Sequence, residues 1–213
     1  MKDKYKTYDE MVINESENFK IKKHDNNSNV LIMAIHGGEI EPLTSDIANL
    51  IASNEYNFYL FEGDKNGSDE DLHITSIRFE NKDIVEILKT IDISISIHGS
   101  KDEDSIMYIG GLDYELRNFI ENDIKNIFLK KHKDFCIVNN VKDEHKFSAI
   151  NKKNIVNRNR REMGVQIELS QGFRKKIVTS LKRDRKIKNV LALYDFSNTI
   201  SDAIKKYKKW INL

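Results

Sequence analysis

The sequence predicts a single α/β domain in which helices cover both faces of a mostly parallel, twisted sheet. Short runs rich in isoleucine and valine recur along the chain, and segments with apolar residues at helical spacing separate them. The length of 213 residues is enough for one sizeable core and short for two ordinary domains. No internal repeat or composition shift marks a boundary, so we expect residues 1–213 to form one domain.

Four apolar runs are typical of strands, because they are short and rich in β-branched residues. They are VLIMAIH at 30–36, NFYLFEG at 57–63, IDISISIHG at 91–99 and MGVQIELS at 163–170. Their alternation with helical segments favours parallel pairing. In such a sheet the functional site lies beyond the carboxyl ends of the strands.

Three segments are predicted to be helices. PLTSDIANLIAS at 42–53 begins with Pro42, followed by hydroxyl and acidic groups suited to a first helical turn. The segment at 112–131 carries apolar residues at helical spacing. In the C-terminal segment at 190–211 one apolar stripe runs through Leu193, Phe196, Ile200, Ile204, Tyr207 and Ile211.

Composition excludes several classes of protein. The 35 basic and 34 acidic residues give a net charge of +1, so no global field indicates a nucleic-acid or membrane partner. A single cysteine, Cys136, excludes an internal disulfide framework. No apolar run suits a signal peptide or a membrane span. We therefore expect a soluble protein. Our further expectations are a monomer that is cytoplasmic or released by lysis.

Side chains with metal-binding and catalytic chemistry stand at the ends of the predicted strands. His36 ends the first, His98 lies at the end of the third, and Glu168 lies in the fourth. Two imidazoles and a nearby carboxylate make a three-ligand set suitable for catalytic zinc, with one position open for water. Glycines follow both histidines, at Gly37, Gly38 and Gly99. They let the backbone turn tightly where a side chain would collide beside a metal ion.

The spacing alone leaves two points open. It does not select the carboxylate ligand, because Glu39 and Glu41 both follow His36 closely. Glu168 also fits a solvent-facing position of a strand as well as it fits a catalytic one.

Six sequence blocks occur together in an order found in one known family. HGGEIEPLTSDIA at 36–48 matches a motif of histidine, two glycines, any residue, isoleucine and glutamate, followed by Pro-x-Thr-Ser-acid-Ile-Ala. The later blocks are LHITSIRF at 72–79, ISIHG at 95–99, YIGGLD at 108–113, NIVNR at 154–158 and GVQIELSQGFR at 164–174. With these blocks the chain resembles the phage-type poly-γ-glutamate hydrolases, a family similar in fold to zinc carboxypeptidases.

The resemblance implies a ligand set and a catalytic group. It implies that His36, Glu41 and His98 bind zinc and that Glu168 is the catalytic carboxylate. The chain departs from the family pattern at two positions. Leu43 stands where the family usually has glycine, and Glu39, at a position normally small or neutral, is a second candidate ligand.

The resemblance also implies residues that bind substrate. Asn157 and Arg158 resemble the Asn-Arg pair with which zinc carboxypeptidases hold a substrate carboxylate. A guanidinium holds a carboxylate with two hydrogen bonds, and poly-γ-glutamate carries a free carboxylate on every unit. Further candidate cations are Arg174, Arg160, Arg161, Lys152 and Arg78. His73, Thr75 and Ser76 match the family, either as hydrogen-bonding partners of a ligand or as a plain junction.

The implied function is zinc-dependent hydrolysis of γ-glutamyl amide bonds in an anionic polymer or peptide, with Glu168 as the general base. The same machinery would serve another glutamyl or peptidoglycan amide, which is the alternative activity. A binding module is the alternative class, because residues 174–188 include eight basic side chains that could contact a nucleic-acid backbone. The absence of interleaved aromatic residues and the balanced charge argue against that alternative.

Overall fold

Within residues 3–65, 69–183 and 188–213, the ranges described by the computed structural model, seven strands form one mixed sheet. The strands are β1 (Phe19–His24), β2 (Val30–Gly38), β3 (Asn57–Gly63), β4 (Ile93–Ser100), β5 (Ile106–Gly110), β6 (Ile137–Asn140) and β7 (Val165–Ser170). The helices are α1 (Tyr8–Glu15), α2 (Thr44–Ala52), α3 (Lys82–Leu88), α4 (Tyr114–Asp123), α5 (Leu129–Lys131), α6 (Gln171–Arg183) and α7 (Lys188–Trp210). The predicted α/β class is confirmed.

The sheet order is β1-β3-β2-β4-β7-β5-β6. The four strands predicted from the sequence are its central strands, β3, β2, β4 and β7, and all of them run parallel. The mixed character comes from β1 and β5, which run antiparallel to β3 and β7. Because the central strands are parallel, the carboxyl ends of β2, β4 and β7 lie at the same edge of the sheet. This arrangement allows residues at the ends of the predicted strands to share one site, as expected from the sequence.

Both faces of the sheet are covered, which explains why β2 is an uninterrupted apolar run. Val30, Ile32 and Ala34 belong to the core that includes residues of α2, α4, α6 and α7. The alternate residues of β2 belong to the opposite core, which α1 and α3 cover. The predicted stripe on α7 packs in the first core, with Phe196 and Ile200 fully buried.

Two helix predictions need correction. The segment at 112–131 is interrupted, because a π-helical turn at Ile124–Phe128 separates α4 from α5. Helix α2 begins at Thr44 rather than at Pro42, and no side chain caps its first turn. None of the described helices is long and apolar enough to cross a membrane.

The residue that precedes α2 has an unusual backbone conformation. Leu43 has a φ of 73°, in the left-handed region that favours glycine. This observation gives a physical reason for the glycine that the family usually has there. The side chain of Leu43 packs against the first core, so its burial offsets part of the backbone strain.

We therefore predict that Leu43→Gly is more stable than Leu43→Ala by about 1 kcal/mol. Both substitutions remove the same apolar contacts, whereas only glycine relieves the left-handed strain. Urea denaturation of the two variants measures the difference. An alanine variant as stable as the glycine variant would contradict it.

Candidate metal centre

Two histidines from neighbouring strands and one glutamate from the following turn converge at the carboxyl edge of the sheet. His36 lies in β2 and His98 in β4. Glu41 follows β2 in a tight turn, in which its backbone N–H donates to the His36 carbonyl at 2.9 Å. All three residues are buried, and their candidate ligand atoms lie within 4.8 Å of one another.

The outer ring nitrogen of each histidine has a hydrogen-bonding partner. The His36 Nε2–H donates to the carbonyl oxygen of Ile74 at 2.9 Å. The Nε2 atom of His98 lies 2.8 Å from the Ser96 hydroxyl oxygen. Because a carbonyl can only accept, the neutral His36 ring carries its proton on Nε2 and keeps an unprotonated Nδ1.

The inner nitrogens face each other and the carboxylate. The Nδ1 atoms of His36 and His98 are 3.1 Å apart. Glu41 places Oε1 3.2 Å from the His36 Nδ1 and Oε2 3.5 Å from the His98 Nδ1. The Gly99 backbone N–H donates to Oε2 at 2.8 Å, which fixes the carboxylate.

This donor set fits zinc. Two nitrogen lone pairs directed at each other repel unless a cation or a proton lies between them. Tetrahedral zinc with bonds of 2.0–2.1 Å holds two nitrogens about 3.3 Å apart. The 3.1 Å separation of the Nδ1 atoms is close to that value. With two imidazoles and one carboxylate, a fourth coordination position remains for water or substrate.

The charges of the cluster favour an ionised Glu41. Burial raises the pKa of this carboxyl, but His36 and His98 outweigh burial and hold the pKa well below its usual range. Burial lowers the pKa of His36, and the charge and hydrogen bond of Glu41 more than offset that effect, so the pKa is raised. Glu41 therefore presents an ionised carboxylate to a cation, and a metal ion would replace the proton that Glu41 favours on His36.

Glu168 lies beside the histidines. It pairs with His98 in the register of β4 and β7, and the Gln166 amide donates to its Oε1 at 2.8 Å. Burial raises the pKa of Glu168 to about 7, and the charge of Glu41 adds to the rise, whereas His98 and His36 lower it. The alternative of a solvent-facing Glu168 is wrong, because the residue is only 6% exposed.

A cavity of about 620 Å³ opens over these groups. The predicted ligands and Glu168 line it, together with His73, Thr75 and Ser76 on one side and residues 146–151 on another. The His73 ring stacks on His36 with centroids 4.1 Å apart. Burial lowers the pKa of His73 to about 4, and the neighbouring His36 adds to this effect. At neutral pH, His73 is therefore an uncharged part of the wall.

The structure separates the two candidate carboxylate ligands. Glu41 lies among the histidines, whereas Glu39 is exposed and lines a different surface cavity with Lys20 and Lys22.

The glycines have another explanation than crowding beside a metal ion. A Cβ on Gly38 would come within 2.3 Å of the Gly63 carbonyl oxygen, and one on Gly99 within 2.7 Å of the Arg174 guanidinium carbon.

Arg174 supports the backbone behind the site. Its guanidinium donates to the carbonyls of Leu169 at 3.1 Å, Pro42 at 3.1 Å and Ser100 at 2.9 Å. These bonds tie β7, the turn before α2 and the end of β4 together. The three hydrogen bonds indicate that the buried side chain of Arg174 stabilises the backbone. The predicted contact of Arg174 with substrate stays a prediction.

Asn157 and Arg158 are not among the residues that line the metal cavity in the described part of the chain. The amide of Asn157 donates to the carbonyls of Ala149 and Asn151 and accepts from the Gly164 N–H. These backbone partners leave the amide little capacity for a substrate. Arg158 pairs with Glu80 at 2.9 Å in a second cavity.

Sequence reasoning missed the partners that orient the site. Ser96 and Gln166 precede His98 and Glu168 by two residues, so each lies on the same strand face as its partner. This two-residue spacing is the sequence signal that could have identified them. No sequence signal indicates the role of the Ile74 carbonyl, apart from the position of Ile74 in the HITS block. Of the basic segment at 174–188, residues 184–187 lie outside the described residues.

The chain is similar to known proteins in sequence. The model of the poly-gamma-glutamate hydrolase family matches residues 5–199. The UPF0714 protein YndL of Bacillus subtilis (strain 168) is 32% identical over 203 residues, which cover 93% of this chain and 76% of YndL. The SPbeta prophage-derived UPF0714 protein YoqZ of the same strain is 32% identical over 176 residues, 82% of this chain and 61% of YoqZ.

Two solved structures are similar over almost the whole chain. A bacteriophage poly-gamma-glutamate hydrolase superposes with a TM-score of 0.85 at 25% identity, covering 98% of this chain and all of that one. An apo, zinc-free structure of YndL superposes with a TM-score of 0.80 at 30% identity, covering 96% and 98%.

Proposed function

The chain belongs to the poly-γ-glutamate hydrolase family, and from that premise we propose that it is a zinc-dependent enzyme that cleaves γ-glutamyl amide bonds of poly-γ-glutamate. The observation that carries this proposal is the meeting of two histidine Nδ1 atoms and the ionised Glu41 in a cavity that also contains Glu168. His36, Glu41 and His98 would hold the zinc ion. When bound, zinc supplies a Lewis acid that makes water nucleophilic near neutral pH and stabilises negative charge on a carbonyl oxygen.

Glu168 moves the proton in this scheme. Its carboxylate accepts a proton from the attacking water and passes it to the nitrogen of the leaving amine. In the metal-free protein, burial raises the pKa of Glu168 to about 7. A zinc ion at the cluster would lower this pKa, so that Glu168 would be an ionised base near neutral pH whose affinity for a proton burial still increases. The Gln166 amide holds Oε1, which orients the carboxylate in the strand.

The second cavity supports an anionic polymer as the substrate. It has a volume of about 450 Å³, and its lining includes five cationic side chains against the acidic Glu80. The cations are Lys6, Arg78, Lys152, Lys153 and Arg158. Ile77 lines both cavities, so they are neighbours. We propose that a polymer cut at the metal centre extends over this basic cavity, where Arg158 binds a carboxylate.

The direct test combines metal analysis with size analysis of the polymer. The purified protein should contain one zinc ion per chain and shorten poly-γ-glutamate, and a chelator should abolish the shortening. A panel of other glutamyl and peptidoglycan amides tests the alternative activity. A protein that shortens the polymer equally well after complete removal of zinc would refute the metal-dependent mechanism.

The role of Arg158 gives a separate prediction. Arg158→Ala should reduce kcat/KM at least roughly tenfold on γ-glutamyl substrates with a free carboxylate, the size of a lost hydrogen bond to a charged group. Substrates with a blocked carboxylate should be affected much less. Arg160→Ala is the matched control, because Arg160 pairs with Asp92 and is not among the described lining residues of either cavity. Equal losses on both kinds of substrate would remove Arg158 from carboxylate recognition.

A further inference from the structure

A buried carboxylate near the start of the chain holds the loop that contacts His36. The side chain of Asp3 is 4% exposed. It accepts from the His73 Nδ1–H at 2.7 Å and from the Thr75 backbone N–H at 2.9 Å, and it pairs with Arg78. Three groups of one loop, residues 73–78, therefore converge on a single carboxylate.

The same loop determines the orientation of His36 in two ways. The carbonyl of Ile74 accepts the His36 Nε2–H at 2.9 Å, and the His73 ring stacks on the imidazole at an interplanar angle of 29°. Asp3 binds the residues on either side of Ile74. Its contacts therefore restrain the carbonyl on which the tautomer and direction of His36 depend.

We propose that Asp3 is a positioning residue for the metal centre, acting through residues 73–75 on His36. The proposal rests on the zinc site of the proposed function. Asp3 lies before the region that the family model matches, which begins at residue 5. Loss of a partner that orients a metal-bound histidine typically weakens metal binding 10–100-fold.

The chain offers a matched control in Glu15. This is also a buried carboxylate that ties down the N-terminal segment, with a side chain 5% exposed. Its side-chain partners are Lys4, Tyr5, Asn18 and Lys65, all outside the loop at 73–78. Glu15→Gln should therefore lower the melting temperature without changing the metal centre, which separates general destabilisation from positioning.

The test measures zinc affinity by chelator competition in folded wild-type, Asp3→Asn, Asp3→Ala and Glu15→Gln proteins. We expect both Asp3 variants to bind zinc 10–100-fold more weakly than the wild type, and Glu15→Gln to bind it equally well. The visible spectrum of the cobalt-loaded protein should change in the Asp3 variants alone. Zinc affinity in the Asp3 variants equal to that of Glu15→Gln would overturn the proposal.

A measurement without metal distinguishes this proposal from the proposed function. In the metal-free protein, the His36 Nε2–H bonded to Ile74 should give a protected ring N–H signal by NMR, which Asp3→Asn should lose and Glu15→Gln should keep. If the wild type bound no zinc while this signal behaved as expected, the proposed function would fail and the positioning of His36 by Asp3 would stand. A signal unchanged in Asp3→Asn would overturn the positioning role itself.

Discussion

Replacing Glu168 by glutamine is expected to leave zinc and polymer bound and to reduce turnover at least roughly a hundredfold, the typical contribution of a positioned acid–base group. Glutamine has nearly the same shape and can keep a contact with Gln166, but it cannot accept the proton of the attacking water. The measurement is kcat on poly-γ-glutamate at equal zinc content. A zinc-loaded variant with near-normal turnover would exclude Glu168 from the mechanism.

The same variant has a predicted effect on the metal-free protein. The pKa of Glu168 is raised from 4.5 to about 7, so the folded state binds this proton more tightly than the unfolded chain does. The contribution of Glu168 to stability must therefore fall as the pH rises from about 4.5 to about 7. His36, with a pKa raised above 6.5, adds a fall only above that pH.

His73, with a pKa lowered to about 4, adds an opposing rise in stability between about pH 4 and 6.5. The contribution of Glu168 is therefore measured as a difference: the melting temperature of Glu168→Gln should rise relative to that of the wild type as the pH rises from 4.5 to 6.5. If this difference between the two metal-free proteins did not change between pH 4.5 and 6.5, Glu168 would not be held in a proton-retaining environment. Glu168 would then lack the raised pKa that suits it to act as a general base, whatever the kinetic result.

Sequence patterns predict those strands in which burial determines the residue types. The central strands β3, β2, β4 and β7 were found because burial on both sides makes their residues apolar. β1 and β6 were missed because they are edge strands with largely exposed side chains, so their composition is polar. β5 is buried, but five residues are too few to give a distinct pattern.

The residues of the site also divide into those that the sequence makes predictable and those that it does not. His36 and His98 were predictable because residues at the carboxyl ends of parallel strands must meet. The roles of Arg174 and Asn157 were not, because side chains that bind backbone carbonyls of distant segments leave no local pattern. The left-handed Leu43 was visible only as a departure from the family, since leucine itself gives no signal for positive φ.

The two glutamates that follow His36 allow the ligand assignment to be tested with a matched pair. Glu41→Gln and Glu39→Gln make the same chemical change two residues apart. Glu41 is buried with its oxygens 3.2 Å from the His36 Nδ1 and 3.5 Å from the His98 Nδ1, whereas Glu39 is exposed. Only the first substitution removes a negative charge from the cluster.

We expect Glu41→Gln to weaken zinc binding by more than the 10–100-fold typical for loss of a partner that only orients a ligand, because here the ligand itself loses its charge. Glu39→Gln should bind zinc as tightly as the wild type does. Chelator competition on the folded proteins gives both affinities, and far-ultraviolet circular dichroism checks that each variant is folded. The reverse ranking would make Glu39 the ligand and require the turn after β2 to rearrange when zinc binds. Equal affinities in all three proteins would mean that neither glutamate binds the metal, and the centre would then lack the carboxylate on which its preference for a divalent cation depends.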